Sequence, residues 1–150
     1  MFSNKTKKAF LTEEENEHIL TCIRENEQQT SGEIRICIET RCVYMDPIER
    51  AKELFIELGM GNTADRNGVL IYIAYKDKDF ALIGDQAIYN IMHQAFWEKE
   101  SKRIAYYFFH HEYVKGITTC ISNVGRELQK HFPHHGENRN ELPDEIIFGK

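Results

Sequence analysis

The feature that most constrains the fold is an uninterrupted apolar run from Val69 to Tyr75. This run is rich in β-branched and aromatic residues, and strands of that kind are typically buried on both faces of a sheet. A strand covered on both faces needs a layer of other elements on each side. With 150 residues the chain is long enough to bury such a core without disulfides or a structural metal. The run therefore predicts one layered α/β domain built around a central strand.

Two further strands are predicted beside the central one. Residues 33–40 alternate between apolar and polar side chains, which predicts a strand with one face better buried than the other. Its apolar positions are Ile34, Ile36 and Ile38. The polar residues 76–78 predict a short turn, so residues 79–84 should return antiparallel to the central strand. The three strands would then form a small mixed sheet.

Helix signals surround these strands. Thr12 and Glu15 form a capping box for a helix that runs to about residue 28. Asp46 and Pro47 start a second helix, which ends at Gly59. Apolar residues at helical spacing predict three more helices after the hairpin, over residues 88–96, around 104–108 and from about 117 to just before Phe132. The order αβαββααα predicts a small central sheet flanked by helices.

Charge and hydropathy narrow the range of partners. The 19 Lys and Arg against 24 Asp and Glu give a net charge of -5, which disfavours nucleic acids and anionic membrane surfaces as ligands. No apolar run approaches the roughly 20 residues of a membrane helix, and residues 1–11 lack a signal-peptide pattern. The four cysteines form no CxxC pair, so we expect reduced thiols. The sequence predicts a cytoplasmic protein that neither binds nucleic acid nor inserts into a membrane.

Topology should bring several oxygen-bearing side chains together. If a right-handed crossover joins the first two strands in parallel, both begin at the same edge of the sheet, and the hairpin returns the third strand to that edge. The loop 61–68 also ends there. The side chains expected at this edge are Glu33, Asp65, Asn67 and Asp85. Carboxylate and amide oxygens are the ligands of hard divalent cations, so this edge is a candidate site for calcium or magnesium.

Each of these residues also has an ordinary structural interpretation. Asp85 precedes a predicted helix and has the residue type of an N-cap. Asn67 and the glycine after it have the composition of a turn, and Asp65 has a cationic neighbour in Arg66. The loop 61–68 also matches the middle of an EF-hand calcium loop. The match fails, because the position that should hold the bidentate glutamate is Ala74, inside a predicted strand.

Two other chemical patterns are weak. Asp77 and Asp79 resemble the paired aspartates of haloacid-type phosphatases, but a strand follows where a helix is needed. Histidines near the C-terminus invite a zinc site, but Pro133 ends the helix between them and no cysteine pair supports it. We therefore expect solvated side chains for these histidines, which are His131, His134 and His135.

Several motifs, in their order along the chain, resemble the TPM domain family. These are Ser31–Ile34, Arg66–Tyr72, Ile83–Asp85, and Tyr113 with Gly116–Ile117. The resemblance covers residues 10–132 and leaves 133–150 as a polar tail. It implies a Rossmann-like α/β/α sandwich with a site for calcium or another divalent cation in its loops. By position, Asp65 and Asp85 are the first candidates for metal ligands, followed by Asn67 and then Glu33.

The resemblance implies two alternative functions. The first is an accessory or interaction module, in which the bound cation orders the loop 61–68 for an unidentified protein partner. The second is a weak metal-dependent acid phosphatase that uses the same edge, because a plant thylakoid-lumen member of the family is credited with phosphatase activity. No catalytic residue is predicted for this alternative, since no general base stands out in the sequence near the site.

Overall fold

A computed structural model describes residues 10–44, 46–134 and 145–149. Its elements are α1 (Glu13–Glu27), β1 (Glu33–Glu39), α2 (Pro47–Glu57), β2 (Gly68–Ala74), β3 (Asp79–Gly84), α3 (Gln86–Ile91), α4 (Gln94–Phe109), α5 (Tyr113–His131) and β4 (Ile146–Phe148). The order up to α5 is the predicted one, and the α/β fold class is confirmed. The capping box of Thr12 and Glu15 is present, and Asp46 caps α2 with Pro47 in its first turn.

The sheet has the strand order β3-β2-β1-β4 and is mixed. β1 and β2 are parallel, with Glu33 opposite Gly68, and β2 and β3 are antiparallel, with Val69 opposite Gly84. The starts of β1 and β2 and the end of β3 therefore lie at one edge, as predicted from the crossover. This edge, with the loop of residues 59–67 that leads into β2, is called the loop edge below.

Helices cover both faces of the sheet, which makes the fold an α/β/α sandwich. α1, α4 and α5 pack on the face that carries the β1 isoleucines, and α2 packs on the opposite face against Leu70 and Tyr72. All four cysteines are free thiols. None of the described helices combines the length and the apolar character needed to cross a membrane.

The tail contributes a strand that the sequence does not predict. β4 pairs in parallel with β1, with Cys37 opposite Ile147. β1 is therefore an interior strand, and all of its residues are buried. The prediction that one face of this strand is better buried than the other is wrong, because helices cover both faces of the sheet. Most of the predicted tail, including His135 and the rest of 135–144, lies outside the described residues.

The predicted helix over residues 88–96 is also wrong, because the chain divides there into α3 and α4. Met92 and His93 have extended backbones, with ψ angles of 128° and 151°. Met92 remains buried in the core despite the break. The apolar spacing therefore continues across the break, and periodicity does not reveal it. The predicted helix around 104–108 is the later part of α4.

Candidate cation site at the loop edge

The loop between α2 and β2 is shaped by two glycines. Gly59 follows the end of α2 with φ at +67°, a conformation that glycine adopts without steric cost. A Cβ on Gly68 would lie 3.1 Å from the backbone oxygen of Met60, so the loop packs closely against the start of β2. The hydroxyl of Thr63 accepts a hydrogen bond from the Asn67 backbone at 3.3 Å and ties the end of the loop to its middle.

Ser31, Asp65 and Asn67 form a hydrogen-bonded cluster at the loop edge. The Ser31 hydroxyl donates to Asp65 Oδ2 at 2.9 Å and accepts from Asn67 Nδ2 at 3.1 Å. Ser31 lies just before β1, whereas the other two residues lie just before β2. The parallel pairing of the two strands is therefore what brings the three side chains together.

Asn67 is fully buried, and its Oδ1 has no hydrogen-bond partner within the part of the chain that the structure describes. A buried acceptor without a donor costs about 1–3 kcal/mol, so such atoms call for an explanation. This one lies beside a cluster that contains a carboxylate. Amide and carboxylate oxygens are the ligands that calcium and magnesium bind in proteins.

Asp85 has a different environment, because its carboxylate is bound on both oxygens. Arg66 donates from Nε to Oδ2 at 2.8 Å and from Nη2 to Oδ1 at 2.9 Å. Oδ1 also accepts from the Gln86 backbone at 2.7 Å, which makes Asp85 the N-cap of α3. The interpretation of Asp85 as a helix cap is thus confirmed. Arg66 pairs with Asp85, and Asp65 bonds to Ser31.

The electrostatics of Asp85 follow from these contacts. Burial by itself would raise the pKa of Asp85, but the hydrogen bonds from Arg66 and Gln86 and the charge of Arg66 outweigh it and lower the pKa below its ordinary value. The same contact raises the pKa of Arg66. Asp85 is therefore an anion with a resident counter-ion at neutral pH.

Glu33 completes the set predicted from the sequence. It is buried as the first residue of β1, and its backbone N–H donates to the Asn67 carbonyl at 3.4 Å. All four predicted residues thus lie at the loop edge. Over residues 10–44, 46–134 and 145–149, no three or more His, Cys, Asp or Glu side chains group closely enough to hold a metal ion. A cation here would need amide, hydroxyl and backbone oxygens as well as carboxylates, a set that suits calcium better than zinc.

A second polar cluster, at the opposite edge of the sheet, is absent from the sequence prediction. Glu39 accepts from Arg50 Nε at 3.0 Å and Nη2 at 2.6 Å, and from the Tyr72 hydroxyl at 2.8 Å. Burial and the hydrogen bond to Glu39 raise the pKa of Tyr72, so its hydroxyl stays a donor. The cluster links α2 to β1 and β2. Nothing in the spacing of these three residues reveals their pairing, which depends on how α2 packs on the sheet.

The C-terminal histidines do not form a second site in the described residues. His131 Nε2 lies 3.7 Å from Glu127 Oε1, one turn away on α5, and His131 is partly exposed. This arrangement is that of a helix-surface pair.

Comparisons with known proteins agree with this fold. The sequence model of the TPM domain family matches residues 5–127. The NMR structure of the BA42 protein from the psychrophilic bacterium Bizionia argentinensis is 36% identical, with a TM-score of 0.88 over 97% of this chain and 100% of that chain. The N-terminal domain of the cg2496 protein from Corynebacterium glutamicum has a TM-score of 0.63 over 92% of this chain and 97% of that chain. At 9% identity this second likeness concerns the fold alone. No curated protein matches the sequence.

Proposed function

The chain belongs to the TPM domain family, and from this premise we propose that it is a binding module that holds a divalent cation at the loop edge, calcium in preference to magnesium. One observation carries the proposal. The Asn67 side chain is fully buried, its Oδ1 has no partner in the described chain, and Asp65 lies in the same hydrogen-bonded cluster. A cation bound there would satisfy the amide oxygen and balance the charge of Asp65.

The donor set supports calcium over magnesium. Asp65 and Asn67 would be the central ligands, with Ser31 as a neutral oxygen beside them and Glu33 and Asp85 at the border. Calcium accepts about 6–8 oxygens, including amide and backbone carbonyls, in a flexible geometry. Magnesium requires near-octahedral geometry and retains several water molecules. A loop rich in neutral oxygens with few carboxylates fits the first ion better.

The proposed consequence of binding is order in residues 61–68, which carry the two central ligands, Asp65 and Asn67. A cation joining this loop to the start of β1 would fix the surface that the loop presents to a protein partner. The partner and the cytoplasmic location remain predictions from the sequence.

The alternative, a weak metal-dependent phosphomonoesterase, uses the same edge and has less support. Asp85 is a poor general base, because Arg66 and the Gln86 backbone bind both of its oxygens and its pKa is lowered. Hydrolysis of a generic phosphate ester by the wild-type protein and by Asp65→Asn tests this alternative. Equal rates in the two proteins would exclude a reaction at the loop edge.

The cation proposal is tested by titrating calcium and magnesium into chelator-treated protein and recording backbone NMR spectra. We expect calcium to shift the signals of residues 59–68 and of Ser31, and magnesium to act only at higher concentration. Asp65→Asn should abolish the shifts. Asp77→Asn is the matched control, because it neutralises an aspartate in the turn at the opposite end of β2, and it should leave the shifts unchanged. If calcium at millimolar concentration moves none of these signals in the wild-type protein, the proposal fails.

A further inference from the structure

We infer that Arg66 is a built-in competitor of the cation at the loop edge and that its guanidinium limits the affinity of the site. This inference rests on the proposed function, because it concerns the occupant of the same acidic edge. It assigns a role to a residue that is not itself a ligand.

The contact with Asp85 is the one that a cation would have to share or replace. Nε and Nη2 of Arg66 lie 2.8 and 2.9 Å from the two carboxylate oxygens, so the guanidinium spans the whole carboxylate. A bidentate pair of this kind is stronger than a single charged hydrogen bond. Asp85 is therefore available as a cation ligand only to the extent that Arg66 releases it.

The two partners differ in exposure, and this difference makes Arg66 the one that can leave. The Asp85 side chain is 5% exposed, whereas the Arg66 side chain is 51% exposed. A half-exposed guanidinium can turn into solvent at little cost, because water already solvates much of it. The carboxylate remains in place, since it also caps α3 through the Gln86 backbone.

The backbone does not have to move when the side chain does. The Arg66 carbonyl accepts a hydrogen bond from the Ala87 backbone at 3.1 Å, which holds this part of the loop without the guanidinium. Arg66 also has φ at +51°, a conformation that is uncommon for residues other than glycine. Within this local geometry Arg66 bonds to Asp85, while its neighbours Asp65 and Asn67 both bond to Ser31.

The charges give the direction of the effect. Asp65 and Asp85 each carry a negative charge at this edge, and Arg66 supplies a positive charge in direct contact with one of them. Removing the positive charge frees Asp85 Oδ2, leaves Oδ1 with only the Gln86 backbone N–H, and increases the attraction for a divalent cation. By linkage, cation binding must weaken the contact between Arg66 and Asp85 by the same free energy by which that contact weakens cation binding.

The experiment is a calorimetric calcium titration of the wild-type protein, Arg66→Gln and Arg66→Lys, with thermal melts in chelator to confirm folding. Arg41→Gln is the matched control, because Arg41 is also exposed and pairs with an aspartate, Asp77, but in the turn after β2. We expect Arg66→Gln to bind calcium about 2- to 5-fold more tightly than wild type, as fits a half-exposed pair. Arg66→Lys should lie between the two, because it keeps the charge and loses the two-point contact. Arg41→Gln should bind as wild type does.

A spectroscopic readout accompanies the affinities. In the wild-type protein, calcium should shift the Arg66 Nε–H signal toward the position of a solvated guanidinium. Wild-type binding together with equal or weaker binding by both Arg66 variants would overturn the inference and leave the proposed cation site standing. Binding by Arg66→Gln without measurable wild-type binding would support it. If no protein in the series binds calcium, the proposed function fails and the inference fails with it.

Discussion

Replacing Asn67 by aspartate tests the cation site most directly, because it turns a buried amide into a carboxylate at nearly constant volume. The Asn67 side chain is fully buried, its Nδ2 donates to Ser31, and its Oδ1 has no partner in the described chain. An aspartate at this position has no proton to donate to Ser31. The single Ser31 hydroxyl proton already bonds to Asp65, so the new carboxylate would lie close to another one without a donor of its own.

The expected cost follows from this arrangement. An uncompensated buried charge destabilises a protein by about 3–5 kcal/mol, and uptake of a proton by the new carboxylate reduces that cost to about 2–4 kcal/mol. For a chain of this length each kcal/mol lowers the Tm by about 2–4 °C. In chelator, Asn67→Asp should therefore melt about 5–15 °C below the wild-type protein.

Calcium should reverse this loss. The added carboxylate is a stronger ligand than the amide, and a ligand present at about 100 times its Kd stabilises the native state by about 2.7 kcal/mol. The calcium-induced rise in Tm should thus be larger for Asn67→Asp than for wild type. Paired thermal melts in chelator and in millimolar calcium measure both quantities.

The matched control for this substitution is Glu39→Gln, a change in a buried carboxylate at the opposite edge of the sheet. It should destabilise the protein by about 1.5–3 kcal/mol, because it removes the charged acceptor of Arg50 and of the Tyr72 hydroxyl while Arg50 keeps its ion pair with Glu53. Its calcium response should equal that of wild type. If Asn67→Asp is as stable as wild type in chelator, or gains no more from calcium than Glu39→Gln does, the interpretation of the Asn67 oxygen as a cation ligand is refuted.

Three further outcomes are expected. Ser31→Ala should lower the free energy of unfolding by about 1–3 kcal/mol in chemical denaturation, because it removes the partner of the buried Asn67 amide. Burial alone would raise the pKa of Asp85, but Arg66 holds this pKa below its ordinary value. The stability that the contact supplies is therefore complete above about pH 4 and is lost as the pH falls further. Acid unfolding of Asp85→Asn should show a weaker pH dependence below pH 4 than that of wild type, and an unchanged profile would count against the contact. Ile147→Ala should lower the free energy of unfolding by about 2–4 kcal/mol, because Ile147 is buried in β4. A loss below about 0.5 kcal/mol, as is usual at surface sites, would show that β4 contributes little to stability.

Most of the elements, and the edge at which the polar residues meet, could be predicted from the linear sequence. The apolar run from Val69 to Tyr75, the capping box of Thr12 and Glu15, and the glycine after α2 act through interactions within a few residues, which a linear pattern records. The handedness of a crossover between parallel strands is nearly invariant, so the starts of β1 and β2 could be placed at one edge from the sequence alone.

Which of these polar groups bond to one another could be learned only from the folded structure. Arg66 contacts Asp85, whereas its neighbour Asp65 contacts Ser31, and Asn67 is left with a buried oxygen. These pairings depend on distances of a few ångströms between segments that are separated in sequence. The same holds for the fourth strand, whose short β4 run becomes recognisable only once it lies against β1. Local patterns specify backbone conformation, whereas the pairing of charges and hydrogen-bonding groups is fixed by how the completed elements pack.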